Sequence, residues 1–256
     1  MQVFLGDIVP TSTLDWPGKV AMTIFFRGCP FRCPYCSNAQ LIDAEAGEPW
    51  EIEDVEAQIL RARDFVDAIV ISGGEPFQQQ AAFLALAEYA KGLGLLVGAH
   101  TNGMYPDRIA RMAGAGLLDA VMLDVKAPLE LEAYGRAAGA PGRKDILEAV
   151  RASVQLCNRL RAEKRIQYYE VRTTVFRGLA DRPQELGKIA AGLACDAYVL
   201  QQGRPEIAMD PSFQRLEAVP RSELLALAKS VRSRPGADKI KAVKVRTREM
   251  GDETVL

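Results

Sequence analysis

The chain has 256 residues, 48% of them hydrophobic, and a formal net charge of −1 at pH 7. That length and apolar content support a full core, in one large α/β domain or two small ones, and the near-neutral balance argues against a nucleic-acid partner or an acidic membrane surface. No run of about 18 apolar residues is present to span a bilayer, and residues 1–7 lack the basic start and continuous apolar stretch of a signal peptide, so a cytoplasmic protein is expected.

Residues 2–8 read as a short strand at a sheet edge. In residues 11–20, Pro17 and Gly18 mark a turn. Asp15 and Trp16 fit either turn chemistry with a packed aromatic or a place at the mouth of a site. Ala21–Phe26 is short, mostly apolar and followed by Gly28, as expected of a buried strand. The stretch from Arg27 to Asn38 comes next, kept out of a helix by Pro30 and Pro34. It carries Cys29, Cys33 and Cys36, and such a cluster reads as metal ligands in a reducing compartment, not as a disulfide framework.

Three thiolates are one short of the four that normally close a structural zinc site or hold a cubane cluster. The single histidine, His100, and the isolated Cys157 and Cys195 offer no obvious fourth ligand; the two cysteines read as small buried hydrophobes. The spacing favours an iron–sulfur cluster with one open iron. Zinc and a redox or incidental thiol group stay open as alternatives.

A surface helix is expected over residues 53–64 and a continuous apolar strand over 67–72, ending in Gly73-Gly74-Glu75-Pro76. Two glycines at a strand end let a backbone approach a ligand closely, and Glu75 offers a carboxylate that could accept from an ammonium group. Helices are expected over 81–91, 106–112, 145–160 and 182–193, and further strands over 95–98, 120–124, 167–176 and 197–202. Strands alternating with helices imply a parallel sheet with right-handed crossovers, whose ligands sit at the C-terminal strand ends. Thr101, Asn102, Asp124, Lys126, Arg172 and Gln201 all fall there. Asp124 and Lys126 point the same way along an extended chain and could hold a ribose and a carboxylate, or form an exposed salt bridge. Thr101 and Asn102 suit ligand contact or turn capping, and Arg172 supplies a forked donor for a cofactor or substrate carboxylate. His100 could move a proton or simply be a satisfied strand-end histidine. Residues 239–248 alternate Lys/Arg with apolar residues and read as an extra strand on one sheet edge, its charges discouraging further pairing.

The Cys-x3-Cys-x2-Cys loop with Tyr35 before its last cysteine, followed one βα unit later by Gly-Gly-Glu-Pro, resembles the radical S-adenosylmethionine (radical SAM) superfamily. From residue 5 to 204 the motifs Leu-Asp-Trp-Pro-Gly-Lys-Val, Thr-Asn-Gly, Leu-Asp-Val-Lys-Ala-Pro, Val-Arg-Thr-Thr-Val and Val-Leu-Gln-Gln are similar to those of the anaerobic ribonucleoside-triphosphate reductase activating proteins. The resemblance implies an α/β fold, a partial (β/α)6 TIM-like barrel over residues 21–204. An N-terminal strand and turn (1–20) would precede it, and a helix and strand (205–256) would pack on it. It implies a [4Fe–4S] cluster on Cys29, Cys33 and Cys36, with S-adenosylmethionine chelated to the open iron. Tyr35 would lie on the adenine; Gly73, Gly74 and Glu75 would bind the methionine end. Asp124 and Lys126 would contact ribose and carboxylate, with Thr101, Asn102 and Arg172 completing the cofactor site. The implied reaction is one-electron cleavage of the sulfonium to a 5′-deoxyadenosyl radical, which takes hydrogen from a glycine of a partner enzyme.

The implied partners are a glycyl-radical enzyme, anaerobic ribonucleotide reductase first among them, and a low-potential electron donor such as a flavodoxin or ferredoxin. Two positions depart from the pattern: Ser37 where related activases commonly carry His, and His100 where they commonly carry Asp. The second puts in doubt any monovalent cation held by that carboxylate. The alternative on the same core is a small-molecule enzyme resembling 7-carboxy-7-deazaguanine synthase, which would need Mg2+. A zinc-stabilised binding module is the reading outside enzymes.

Overall fold

The computed structural model describes residues 1–255; residue 256, the last of the expected extension, lies outside the described residues. The apolar runs and helical stretches alternate as the sequence implies. In chain order the elements are β1 (Gln2–Val3), β2 (Leu5–Ser12), β3 (Ala21–Phe26), β4 (Trp50–Glu51), α1 (Ile52–Ala62), β5 (Ala68–Gly73) and α2 (Gln80–Gly92). Then follow β6 (Leu96–Thr101), α3 (Pro106–Gly114), β7 (Ala120–Asp124), α4 (Leu131–Ala138), α5 (Lys144–Ala162), β8 (Tyr168–Val175) and α6 (Pro183–Ala190). The chain ends with β9 (Ala197–Gln202), α7 (Pro211–Gln214), α8 (Arg221–Arg232), β10 (Ala242–Thr247) and β11 (Gly251–Val255).

One nine-stranded sheet runs in the order β11-β10-β9-β8-β7-β6-β5-β3-β2. Every neighbouring pair from β3 to β10 is parallel, whereas β2 and β11 close the two edges as antiparallel strands. Side chains alternate between the faces. On β5, Ile69 and Ile71 enter the main core, while Ala68 and Val70 join a second cluster with Trp16, Ala21, Ala120 and Met122 on the inner face. Each large apolar side chain buried this way contributes about 1.5–3 kcal/mol. The inner positions around Trp16 are small, and Gly98 is smallest: a Cβ there would stand 3.1 Å from the indole. Trp16, 3% exposed, therefore forms the floor of the inner face, not the mouth of a site.

The structure differs from the expectations in four places. The N-terminal strand breaks at Phe4, whose N–H and C=O are both taken by the Gln79 amide; β1 then pairs with β4, apart from β2. Helix α4 was not foreseen, because it is short, carries Gly135 internally and ends at Gly139 in the left-handed region (φ +62°). The tail strand is not an edge. With α8 as crossover, β10 continues the parallel sheet as a seventh parallel strand, and β11 covers it. Its Arg246 is not a gatekeeper against pairing but an inward partner for Glu170 and Asp252. The third expected strand also runs on, to Thr101, whose hydroxyl is bound by Glu75.

Candidate active site

The C-terminal ends of the parallel strands surround a cavity of about 210 Å³. Cys29, Cys33, Tyr35, Cys36, Gly73, Gly74, Thr101, Asn102, Asp124, Lys126 and Arg172 all line it; of the residues singled out from sequence for a cofactor, Glu75 does not. His100 and Gln201 also face the cavity. Cys157 and Cys195 are buried away from it, within the main core.

The cysteine loop is held on several sides by its own backbone. Gly28 N–H donates to the Leu41 carbonyl (2.8 Å), Cys29 N–H to Ile42 (3.1 Å) and Arg32 N–H to the Ala138 carbonyl at the end of α4 (2.9 Å). Asp210 N–H reaches the Pro34 carbonyl at 2.8 Å. Burial pushes the Cys29 thiol up to about 12 and the Cys33 thiol up to about 11, so both stay protonated until a metal displaces the proton. Asn102 Nδ2 lies 3.6 Å from Cys29 Sγ, placed to donate to a sulfur.

Gly73 needs its bare backbone. It sits at φ +115°, and a Cβ would fall 2.1 Å from the Phe26 carbonyl oxygen, so no side chain fits. Glu75 then turns inward. Its fully buried carboxylate accepts from Thr101 Oγ1 (2.8 and 3.0 Å), Asn102 N–H (2.7 Å) and Phe77 N–H (3.2 Å). Burial pushes its carboxyl up to about 7 against these donors. Glu75 thus braces the end of β5 against the end of β6, and the glycine backbones, not the carboxylate, face the cavity.

Opposite, Lys126 Nζ lies 3.5 Å from Asp124 Oδ2, a loose pair whose lysine is mostly buried. Tyr35 stacks in an aromatic trio with Phe176 (5.3 Å) and Phe213 (6.2 Å). Its hydroxyl is buried without a partner.

Below them lies a polar layer above Trp16. His100 Nε2 is 2.8 Å from the Asp15 carbonyl, which puts the imidazole proton on that nitrogen, and Nδ1 accepts from Ser72 Oγ at 3.2 Å. Thr23 Oγ1 donates to Asp15 Oδ2 (2.8 Å). Burial, and then the Arg172 guanidinium, lower the His100 pKa from 6.5 to about 4. Between those two values the unfolded chain binds the extra proton, so this contribution to stability is full above pH 6.5 and is lost as the pH falls toward 4. With one histidine in the chain, NMR titration of the imidazole reads this directly. A midpoint near 4 is expected, and one at 6 or above would contradict the buried neutral ring.

Three contributors escaped the sequence reading. Gly139 lets α4 press on the cysteine loop, with a Cβ position 1.8 Å from the Arg32 carbonyl oxygen. Glu170 holds Arg172 Nε at 2.5 Å. Phe176 and Phe213 form the aromatic wall with Tyr35. A carboxylate inside the apolar run of β8 was the only local sign of the second.

The donor set fits a cluster and a polar ligand. Among the described residues no three His, Cys, Asp or Glu groups converge to hold one metal ion. Three cysteines lining one cavity suit a cluster, in which each thiolate takes a different iron. Arg172 Nη2 and the Tyr35 hydroxyl are buried polar atoms without partners, which a ligand bearing acceptors would satisfy.

A mostly parallel sheet thus carries a three-cysteine loop at its strand ends, beside a cavity lined by polar side chains. The sequence pattern of the radical SAM superfamily matches residues 23–162, and the chain belongs to that superfamily. Its cofactors are accordingly a [4Fe–4S] cluster and S-adenosylmethionine. A putative glycyl-radical enzyme activating enzyme of Methanocaldococcus jannaschii is 33% identical over 232 residues, which cover 90% of this chain and 92% of that one. A 7-carboxy-7-deazaguanine synthase of Hyperthermus butylicus is 35% identical over 89 residues, covering 35% of this chain and 37% of its own. The crystal structure of Streptococcus suis SuiB bound to S-adenosylmethionine shares the fold, with a TM-score of 0.59 and 13% identity over 79% of this chain and 44% of that one. No described helix is long and apolar enough to cross a membrane.

Proposed function

We propose that the chain is a glycyl-radical enzyme activase whose substrate is a glycine of a partner enzyme, anaerobic ribonucleotide reductase. The observation that carries the activase reading is the likeness over 90% of the chain to a relative with the activating-enzyme description, against 35% for the deazaguanine synthase; the choice of the reductase rests on the motif resemblance alone. The cavity supports it from the residues up.

Cys29, Cys33 and Cys36 would hold three corners of the cluster, and Asn102 would donate to the Cys29 sulfur. The carbonyls of Gly73 and Gly74 would accept from the ligand's ammonium. Asp124 would accept from the ribose hydroxyls, Lys126 and Arg172 would take the carboxylate, and Tyr35 would lie against the adenine. When bound, the two cofactors supply reductive cleavage of the sulfonium and the adenosyl radical that removes a hydrogen atom. The protein's own work is orientation and exclusion of water, with Trp16 sealing the inner face from below. The electron would come from a low-potential donor such as a flavodoxin or ferredoxin.

The test supplies reconstituted enzyme, reductant and S-adenosylmethionine with a reductase whose glycines carry deuterium. Deuterium in the 5′-deoxyadenosine, with a glycyl EPR signal on the reductase, is the expected result. The locally similar deazaguanine synthase motivates a second reading, a small-molecule substrate with Mg2+. Unlabelled 5′-deoxyadenosine and no glycyl signal would favour it.

A further inference from the structure

We propose that Arg246, on the C-terminal hairpin of β10 and β11, is a positioning residue for Arg172: through Glu170 it fixes the guanidinium that receives the ligand's carboxylate. The inference rests on the proposed role of Arg172 in the cavity.

Glu170 lies on the inner face of β8 and is fully buried, where an ionised carboxylate survives only with partners. It has three: Tyr168 donates its hydroxyl at 2.6 Å, Arg172 its Nε at 2.5 Å, and Arg246 Nη2 stands at 3.4 Å. Burial opposes the charge, and the two guanidinium groups outweigh it, holding the carboxyl at about 2. Arg246 reaches Glu170 across β9 and is shared with a competing carboxylate, Asp252 of β11, at 2.5 and 3.0 Å.

The consequence falls on the far edge of Arg172. Its Nη1 stands 3.3 Å from His100 Nε2, a nitrogen whose proton already serves the Asp15 carbonyl, so no acceptor is offered there. Its Nη2 is buried with no partner. Both terminal nitrogens are therefore free for an anion, because Nε alone is spent on Glu170. Without Arg246, Glu170 loses a cation, and Arg172, already on Glu170 through Nε, carries an unpaired donor, Nη2, on the same guanidinium. A guanidinium closing with two nitrogens on Glu170 makes the stronger, forked contact and withdraws the donor from the cavity.

The test compares affinities of the reconstituted, full-length enzyme for S-adenosylhomocysteine and its decarboxylated counterpart, S-adenosyl-3-thiopropylamine, by calorimetry. The two ligands differ only in the carboxylate, so their affinity ratio isolates that contact. The wild-type ratio should be about 10-fold or more, as for a charge-assisted pair. Arg172→Gln should bring it closest to one, leaving only what Lys126 sustains, and Arg246→Gln should lower it about fivefold, with Arg246→Lys restoring most of it. Arg221→Gln removes a different tie of the same hairpin, Arg221 to Glu253, and should leave the ratio unchanged. Asp252→Asn frees Arg246 toward Glu170 and should keep the ratio at or above the wild-type value.

A wild-type ratio in Arg246→Gln, with the ratio lowered in Arg172→Gln, would overturn the inference and spare the reading of Arg172. A preserved ratio in Arg172→Gln would overturn both. A fall in Arg221→Gln equal to that in Arg246→Gln would reduce Arg246 to a hairpin anchor, and a fall in Asp252→Asn would contradict the relay. The last arm serves even where Arg246→Gln does not fold.

Discussion

Replacing Cys33 with alanine is expected to leave a folded protein that binds little iron and cleaves no S-adenosylmethionine. Cys33 is 7% exposed and packs beside Phe31 and Tyr35 in the main core, so losing one sulfur costs stability of about 1 kcal/mol. The functional loss is far larger, because two thiolates cannot hold a cubane that already lacks its fourth. Cleavage should drop at least about 1,000-fold, which corresponds to about 4 kcal/mol of lost barrier reduction. The measurement pairs iron content and visible absorbance with 5′-deoxyadenosine release under dithionite, and a thermal melt confirms that the variant is folded. Cleavage near the wild-type rate in that variant would remove Cys33 from the cluster and undermine the three-thiolate reading.

The second large effect is expected at Gly139, which sequence reasoning passed over. The residue sits at φ +62°, and its missing side chain is what allows α4 to touch the cysteine loop. A Cβ 1.8 Å from a backbone oxygen cannot be absorbed by a rotamer change; either α4 or the loop must move. Gly139→Ala should therefore cost about 3 kcal/mol or more in urea unfolding. It should also reduce iron uptake, because the Arg32 N–H bond to Ala138 is lost with it. Gly142→Ala separates strain from crowding. Gly142 also has a positive φ, +75°, but nothing lies within 4 Å of its Cβ position. Its cost should be about 1 kcal/mol, with iron content unchanged. Equal losses in the two variants would show that the contact with the loop is not what matters.

The cysteine loop and the polar strand ends were legible because both are local. Three thiols lie in one short loop after an apolar run, and Thr101, Asp124 and Arg172 are polar residues in the C-terminal halves of their strands. The alternation of strands and helices gave the parallel sheet in the same way. What stayed hidden depends on residues far apart in the chain. Glu75 reads as an open carboxylate after two glycines, and only the neighbouring end of β6 turns it into a buried brace. Glu170 looks like one more charge in a strand until Arg246, 76 positions later, is laid over it. The tail strand carried the pattern of an edge. It became interior because residues 251–255 fold back on it, and a five-residue strand with three polar positions gives little periodic signal.

The Trp16 floor carries a consequence for sequence exchange. The indole stands where the side chain of residue 98 would go, with a Cβ position 3.1 Å from its ring and 3.3 Å from the Met122 methyl. A methyl at 98 asks its neighbours to yield by a few tenths of an ångström, but a valine or anything larger has no room while the tryptophan stays. Positions 16 and 98, separated by two βα units, therefore share one volume between them. A related sequence that fills position 98 is expected to carry a smaller residue at 16, and the two should change hands together.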